Sequence, residues 1–323
     1  MLRDIQYPGS LRYKSKTEYD PRLFFLEHFY HGKSLRFHLG FFSTKVFKAI
    51  PEGFAHFIKN GGHIELIINH FLTKKDKKFL SQKNNIDFSN DLDEVDMIKF
   101  LFDSLDQEGL HFEKCLSYLI QKEKLKIKII KPKLGNGYEH TKEGVFGDGE
   151  DEVYFSGSAN FTASALLSNS ENINADPNWL GVERQCKVKE FVDQFDEIWK
   201  GDNEKYDYLS PNETEEISSH IKLKYPKIEI DELLKESLIL GNEPSESSRV
   251  KKLQRELKFE IKGDLGLPRF PFTEGPRDYQ KEAYDKWYKN DKKGLLAMAT
   301  GTGKTLTSLN CLLNEYMEIK AYK

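Results

Sequence analysis

Residues 137–171, around which the rest of the chain is organised, read GYEHTKEGVFGDGEDEVYFSGSANFTASALLSNSE. Two short apolar-rich runs, at residues 143–146 and 153–155, flank the loop sequence GDGED. An Asp-Gly pair between two strand-like runs is a strong signal for a β-hairpin. We therefore predict two antiparallel strands with their turn centred at Gly149 or Glu150.

Four polar residues lie towards the outer ends of this predicted hairpin. Because side chains two residues apart point to the same face of a strand, His140 and Lys142 share a face of the first strand. By the same rule Ser158 and Asn160 share a face of the second strand. The predicted turn sets His140 opposite Ser158 or Asn160, so the four side chains converge. A folding core has no use for such a cluster, whereas a phosphate-binding site does.

The motifs in this stretch resemble those of a known family. The sequence HTK at His140, followed by GSAN at Gly157, resembles the HxK and GSxN signature of the phospholipase D superfamily. The Phe-Thr pair that follows, and the sequence NSE at Asn169, are similar to the form found in the DNA-cutting branch of that superfamily. The Asp that some members carry after the lysine has no clear match, because Asp148 lies one place late and belongs to the predicted turn.

The resemblance implies phosphodiester hydrolysis through a phosphohistidine, with no metal ion in the nuclease site. A neutral His140 would attack phosphorus, and a second histidine would protonate the leaving oxygen. Lys142 and Asn160 would hold the non-bridging oxygens as negative charge develops on them. Ser158 would orient the phosphate, and Glu171 would fix the imidazole tautomer.

The family's active site uses two HxK motifs, and this chain has one that is followed by GSxN. We therefore expect a two-fold symmetric homodimer in which His140 of both protomers meets at the interface. The sequence from His31 to Lys33 also fits HxK, but no GSxN follows it, so it is the weaker candidate.

Composition limits the class of protein. With 323 residues and 38% hydrophobic residues, the chain can form two soluble globular domains. It has no apolar run of the roughly 18 residues that a membrane span needs, and its start has no apolar signal region. The 3 cysteines have no CxxC spacing, so we expect a reducing cytoplasm and neither a disulfide framework nor a zinc site.

The net charge of −3 means that any contact with DNA has to come from a local basic patch. The run KEKLKIKIIKPK at residues 122–133 alternates lysines with apolar residues. Its lysines are either the solvated side of a strand or a ridge that follows a phosphate backbone.

The order of elements predicts an α/β fold. We predict strands at residues 35–43, 63–69 and 125–133, separated by helices at residues 45–59, 97–105 and 112–121, with the hairpin after them. Such an order is typical of a layered fold around a mixed sheet, and the resemblance implies a phospholipase D-like sandwich. We expect this nuclease domain to cover residues 1–203, a linker or bridging region to cover 204–268, and the start of a helicase domain to cover 269–323.

A second motif, GLLAMATGTGKTLTSL, lies at residues 294–309. It predicts a short apolar strand, a phosphate-binding loop and the start of a helix. Lys304 would reach the terminal phosphates of ATP, and Thr305 would bind Mg²⁺. The loop residues assigned to nucleotide binding are Thr300, Gly301, Thr302, Gly303, Lys304 and Thr305.

The form MATGTGKT resembles motif I of superfamily 2 helicases, although the strict loop pattern has Gly where this chain has Met298. The sequence RDYQ at Arg277 is similar to the adenine-reading Q motif of those helicases, which implies that Gln280 contacts the base. No Asp-Glu pair follows the loop to hold the metal. We therefore expect an incomplete helicase lobe and no ATP hydrolysis by this chain.

Three functions fit these motifs. The first is a DNA endonuclease attached to an ATP-dependent translocase, which resembles prokaryotic restriction and anti-phage enzymes, including the type IV modification-dependent kind. The second is a lipid phosphodiesterase, which the lack of a membrane helix or a basic amphipathic stretch disfavours. The third is a non-catalytic module that binds DNA or dimerises while the helicase is the active part.

Overall fold

The structure, a computed structural model, describes residues 1–39, 50–69, 95, 99, 107–133, 142–157, 172–240 and 245–319. The chain divides into two compact units, Met1–Gln254 and Arg255–Lys323. Among the helices of the described residues, none has the length and the apolar composition that a membrane crossing requires. The domain boundaries expected at residues 203 and 268 stay predictions.

The first unit is built on one mixed sheet of 8 strands. In chain order the strands are β1 (Arg12–Lys14), β2 (Ser34–Leu39), β3 (His63–Asn69), β4 (Leu125–Pro132), β5 (Lys142–Gly147), β6 (Glu152–Gly157), β7 (Asn172–Pro177) and β8 (Tyr206–Tyr208). Their order across the sheet is β1-β7-β6-β5-β2-β3-β4-β8. Strands β2, β3 and β4 run parallel, and the other neighbouring pairs are antiparallel. The predicted α/β class with a mixed sheet is confirmed.

The helices of the described residues are α1 (Pro21–His31), α2 (Pro51–Lys59), α3 (Gln107–Gln121), α4 (Val182–Lys200), α5 (Pro211–Lys224), α6 (Ile230–Leu240), α7 (Ser248–Asp264), α8 (Asp278–Lys289) and α9 (Lys304–Ile319). The predicted order of strand, helix, strand, helix, strand and then hairpin is found as β2-α2-β3-α3-β4 followed by β5 and β6. The beginning of the helix predicted at 45–59, and most of the one predicted at 97–105, lie outside the described residues.

Helix α1 and its aromatic residues form the core on one face of the sheet. Asp20 followed by Pro21 predicts a helix over residues 21–30, with Asp20 as its cap. The structure has this helix: Asp20 accepts a hydrogen bond from the backbone N–H of Arg22 at 2.9 Å, and Pro21 takes the first helical position. Phe29 packs edge-on against Phe146 with ring centroids 5.1 Å apart. Both side chains are fully buried, so removing either would leave a cavity in the core.

Helix α4 covers the opposite face of the sheet. Phe191, Phe195 and Ile198 pack there against apolar side chains of the central strands, including Ile67 and Ile130. The sequence predicts this helix over residues 191–199, and the structure extends it to Val182–Lys200. The sheet therefore has helices on both faces, as its parallel centre requires.

The segment that follows α4 packs onto this first unit. Strand β8 pairs with β4 and completes the sheet. Glu113 of α3, which is fully buried, accepts hydrogen bonds from Lys224 Nζ at 2.8 Å and Tyr225 Oη at 3.1 Å. A buried carboxylate needs such partners, so this contact holds the end of α5 against α3.

Helix α7 begins in the first unit and ends in the second. Ser247 caps its beginning by accepting a hydrogen bond from the backbone N–H of Val250 at 3.2 Å. The carboxylate of Glu18 accepts hydrogen bonds from the backbone N–H and the hydroxyl of Ser248, at 3.0 and 2.7 Å. Ser245 and Ser247 are buried, although they belong to a stretch whose composition is typical of a flexible linker.

The second unit contains the end of α7 together with α8 and α9, which contact each other. The prediction of a strand before the phosphate-binding loop is wrong, since residues 294–299 form no strand. A strand forms by pairing its backbone with a neighbour, and the described residues of this unit contain no other strand. Leu295 is consequently 90% exposed.

Candidate active site and phosphate-binding loop

The predicted hairpin is present and its register is defined. Glu143 of β5 lies opposite Ser156 of β6, and Gly147 lies opposite Glu152. The pairing of β5 with β6 is therefore centred between Gly149 and Glu150, the two residues predicted as the centre of the turn.

Asp148 belongs to the turn, as the sequence predicts. Its Oδ1 accepts hydrogen bonds from the backbone N–H groups of Glu150 at 3.0 Å and Asp151 at 2.9 Å. Its Oδ2 accepts one from Leu2 N at 2.7 Å. Burial raises the pKa of Asp148, but the three backbone donors outweigh burial and leave this pKa below its usual value. Asp148 therefore serves the fold rather than catalysis.

The N-terminal residues are fixed to the same turn. Arg3 forms a two-point ion pair with Asp151, with Nε to Oδ2 at 2.6 Å and Nη2 to Oδ1 at 2.8 Å. This pair and the Leu2 contact hold the turn end of the hairpin. The opposite end of the hairpin is formed by Lys142 and Gly157.

Lys142 is the first residue of β5, lies opposite Leu39 of β2 and is half-buried. Gly157 is the last residue of β6, and it lies opposite Ile173 of β7. The other residues predicted for the nuclease site, His140, Ser158, Asn160 and Glu171, lie outside the described residues. What the structure provides is three adjacent strands whose ends adjoin these residues in the sequence.

The second HxK sequence has a different setting. His31 is the last residue of α1, and its Nδ1 lies 3.3 Å from the N-terminal nitrogen of Met1. Lys33 follows in the connection to β2, where its backbone N–H donates to Gly147 O at 2.7 Å. The two residues do not share the face of a strand, so this sequence lacks the geometry on which the HxK hypothesis depends.

One lysine of the run at 122–133 has a structural role. Lys128 Nζ donates to the carbonyl oxygen of Trp199 at the end of α4 and lies 5.0 Å from the ring centroid of Tyr208. A cation is favourable at a helix C-terminus, where carbonyl groups have no partner within the helix. Burial lowers the pKa of Lys128. Lys128 therefore stabilises α4, and Lys126 remains exposed on the same strand.

A polar cleft that sequence reasoning missed lies between α4 and strands β5, β6 and β7. It has a volume of about 520 Å³ and contains Tyr154, Asp176 and Arg184. These residues are distant in the sequence and form no motif, so only the packing of α4 on the sheet brings them together. Across the described residues, no group of three or more His, Cys, Asp and Glu side chains could hold a metal ion.

The phosphate-binding loop has the backbone that its glycines predict. Gly301 and Gly303 have φ values of +82° and +85°, which non-glycine residues rarely adopt, and α9 begins directly after them at Lys304. Thr302 Oγ1 donates to Ala299 O at 2.6 Å. The loop therefore directs the N-terminus of a helix at the place where a phosphate would lie, and its residues fit that group.

Lys304 and Thr305 occupy the predicted positions. Lys304 Nζ donates to the carbonyl oxygen of Met298 at 2.9 Å, so it has to leave that carbonyl before it can hold a phosphate. Thr305 is exposed in the first turn of α9.

The Q-motif residues contact the loop. Tyr279 Oη donates to Thr302 O at 2.9 Å. Gln280 is buried, and its Oε1 accepts a hydrogen bond from the backbone N–H of Arg277 at 2.8 Å. Gln280 Nε2 lies 3.3 Å from the position that a Cβ on Gly303 would take. Gln280 therefore helps to begin α8 and faces the loop from the side, a contact with Gly303 that the sequence does not reveal.

Residues 274–320 match the family model of the res subunit of type III restriction enzymes. The match covers well under half of the chain, and it includes both the loop and the Q-motif residues. A comparison with curated proteins finds no match. The C-terminal segment is thus similar to part of the res subunit of a type III restriction enzyme.

Proposed function

We propose that the first unit is a metal-independent endonuclease of the phospholipase D type, coupled to an ATP-dependent helicase of the restriction type. The single observation that carries this proposal is the hairpin register. It makes Lys142 and Gly157 the adjoining ends of neighbouring strands. The rest of HxK directly precedes Lys142 in the sequence, and the rest of GSxN directly follows Gly157. The family match of residues 274–320 supports DNA as the substrate.

Catalysis proceeds in two displacement steps. A ring nitrogen of His140 attacks phosphorus, the bond from phosphorus to the leaving oxygen breaks, and a second histidine gives that oxygen a proton. Water then attacks the phosphohistidine, the same second histidine accepts a proton from it, and His140 is released. Lys142 and Asn160 hold the non-bridging oxygens in both steps.

Two further residues position these groups. Ser158 orients the phosphate. Glu171 accepts a hydrogen bond from an imidazole N–H and thereby fixes the tautomer that leaves the other nitrogen free to react. The second histidine is His140 of another protomer in a symmetric homodimer.

The second unit binds ATP when the helicase is intact. In the intact helicase Lys304 would hold the terminal phosphates and Thr305 would bind Mg²⁺. The resemblance to the Q motif implies that Arg277 and Gln280 would contact the base, for which the buried Gln280 side chain would have to leave its bond to Arg277 N. Translocation along DNA would control where and when the nuclease cuts, as expected of a cytoplasmic enzyme for restriction or phage defence.

The test is plasmid cleavage by the full chain in EDTA, with His140→Ala and His63→Ala beside it. His63 is exposed at the start of β3 and serves as the matched control. We expect nicking or cutting by the wild type and by His63→Ala, and none by His140→Ala. Circular dichroism and DNA binding have to be the same for all three proteins.

Other outcomes favour other functions. DNA binding without cutting by any of the three proteins, also with the complete helicase and ATP, would favour a non-catalytic DNA-binding or dimerisation module. Hydrolysis of phosphatidylcholine by the purified chain would favour a lipid phosphodiesterase.

A further inference from the structure

The polar cleft between α4 and the sheet adjoins the proposed catalytic edge. Glu143 and Ser156 face each other across β5 and β6, and both line the cleft. Glu143 directly follows Lys142 in the sequence, and Ser156 directly precedes Gly157. Asn174 of β7 lies opposite Ser156 and continues the floor of the cleft. A group bound in this cleft would therefore lie next to a phosphodiester held at the strand ends.

The charges in the cleft do not suit a bare phosphate. Both cations, Arg184 and Lys187, are directed at the carboxylate of Asp176, with nitrogen-to-oxygen distances of 3.6 and 3.2 Å. Two further carboxylates, Glu143 and Glu190, also line the cleft. The carboxylates thus outnumber the cations, and a second phosphate would be repelled.

The cleft also has an aromatic side, the half-buried ring of Tyr154, which packs on the core that contains Phe191. The rings of Tyr154 and Phe191 lie 5.5 Å apart, and both line the cleft. Tyr154 Oη donates to Glu143 Oε2 at 2.6 Å, which fixes the carboxylate at the floor. An aromatic side beside fixed hydrogen-bond acceptors is the arrangement by which proteins bind an unstacked nucleobase.

We propose that this cleft is a nucleobase subsite, which holds a base next to the phosphodiester that the enzyme cuts. The inference rests on the proposed function, because it places the scissile phosphate at the ends of β5 and β6. Carboxylates accept hydrogen bonds from exocyclic amino groups, as acidic side chains do from N4 of cytosine. The subsite therefore prefers amino-bearing bases over thymine or uracil, and Glu143 and Asp176 determine this preference.

The test compares two ligands that differ in one group. Labelled single-stranded oligomers of dC and dU carry an amino group or a carbonyl group at the same ring position. Their binding to the full chain with His140→Ala, which does not cut, is measured by fluorescence anisotropy. We expect the dC oligomer to bind about 5- to 10-fold more tightly than the dU oligomer, since each well-placed base contact discriminates to about this extent or more.

A variant then assigns the preference to the cleft. Glu143→Gln keeps an oxygen for Tyr154 and adds an amide donor that suits the uracil carbonyl. It should reduce the preference to less than about 2-fold or reverse it. Lys189→Ala is the matched control. Lys189 is exposed on α4, the helix that borders the cleft, and it pairs with Asp193 outside the cleft. It should leave the preference unchanged.

Equal binding of the dC and dU oligomers by the His140→Ala protein would overturn the proposal. A preference that Glu143→Gln leaves intact would also overturn it, because the discrimination would then come from another part of the chain. If the preference behaves as expected while wild-type protein does not cut plasmid, the catalytic proposal fails and the base subsite stands as part of a DNA-binding surface.

Discussion

At the scale of single residues, two buried histidines respond to pH in opposite directions. His28 Nδ1 donates to Phe24 O at 2.6 Å, and Tyr7 Oη donates to its Nε2 at 3.1 Å. Burial lowers the pKa of His28 to about 3. Burial also acts to lower the pKa of His111, but Cys115 and Glu236 outweigh it and raise this pKa.

We predict that His28 contributes less to stability at low pH, because its imidazole becomes protonated in the unfolded chain but not in the folded one. Its folded pKa is below the unfolded value of about 6.5, so this contribution falls as the pH decreases from about 6.5 towards about 3. Between pH 7.5 and 5.5 the loss amounts to about 1.4 kcal/mol. The measurement is the free energy of unfolding in urea at both pH values, for wild type and for His28→Gln, which cannot titrate. The difference in the free energy of unfolding between wild type and His28→Gln should be smaller at pH 5.5 than at pH 7.5.

His111 serves as a control, because its contribution to stability should change with pH in the opposite direction to that of His28. Its folded pKa is raised, so its contribution is complete below the unfolded pKa and is lost as the pH rises above about 6.5. The difference between wild type and His111→Gln should therefore grow on going from pH 7.5 to 5.5. Two variants with the same sign of pH dependence would contradict this assignment.

At the scale of elements, the beginning of α7 is fixed to the first unit from two sides. Ser247 caps the helix from its own chain and donates to the backbone carbonyl of Glu18 at 2.8 Å. Arg249 lies 4.5 Å from the ring centroid of Tyr19. The pKa of Glu18 is lowered, above all by the hydrogen bond from the Ser248 hydroxyl. The first turn of α7 is therefore an ordered part of the first unit.

We predict that Ser247→Ala costs about 1 kcal/mol of stability at this helix end, as the loss of an N-cap side chain usually does. The measurement is hydrogen exchange of the first-turn amides of α7, which should become faster. Ser219→Ala inside α5 is the control, because its hydroxyl donates only to the Glu215 side chain on the exposed surface. Unchanged exchange in Ser247→Ala would show that other contacts hold the helix end.

At the scale of the whole molecule, the proposed nuclease site needs two protomers. The chain contains one HxK sequence that is followed by GSxN, and the proposed mechanism uses two histidines. Shared sites of this kind are detected by mixing active and inactive protomers, provided that the subunits exchange.

We predict that His140→Ala protein inhibits the wild type by forming mixed dimers. After subunit exchange at equal amounts, about one quarter of the dimers have two intact histidines, so plasmid cutting should fall to about a quarter of that of an all-wild-type sample at the same total concentration. Sedimentation velocity gives the oligomeric state. A fall to only one half would mean that each protomer acts alone.

Features whose causes are local can be predicted from the amino-acid sequence alone. The hairpin follows from Asp-Gly between two short apolar runs, α1 begins at Asp20 and Pro21, and Gly301 and Gly303 specify the phosphate-binding loop. Each of these depends on dihedral preferences and hydrogen bonds within a few residues. The motifs of the proposed nuclease site are likewise short and local in the sequence.

Features that need partners from distant parts of the chain become visible only in the folded protein. Strands β1, β7 and β8 were not predicted, because β1 and β8 have three residues each and β7 contains Asn and Asp, which have poor strand propensity. The apolar segment before the phosphate-binding loop has strand-like composition, yet no neighbouring strand pairs with it in the described residues. The base-binding cleft exists because α4 packs across β5, β6 and β7, and the hydrophobic contacts that place it there join residues far apart in the chain.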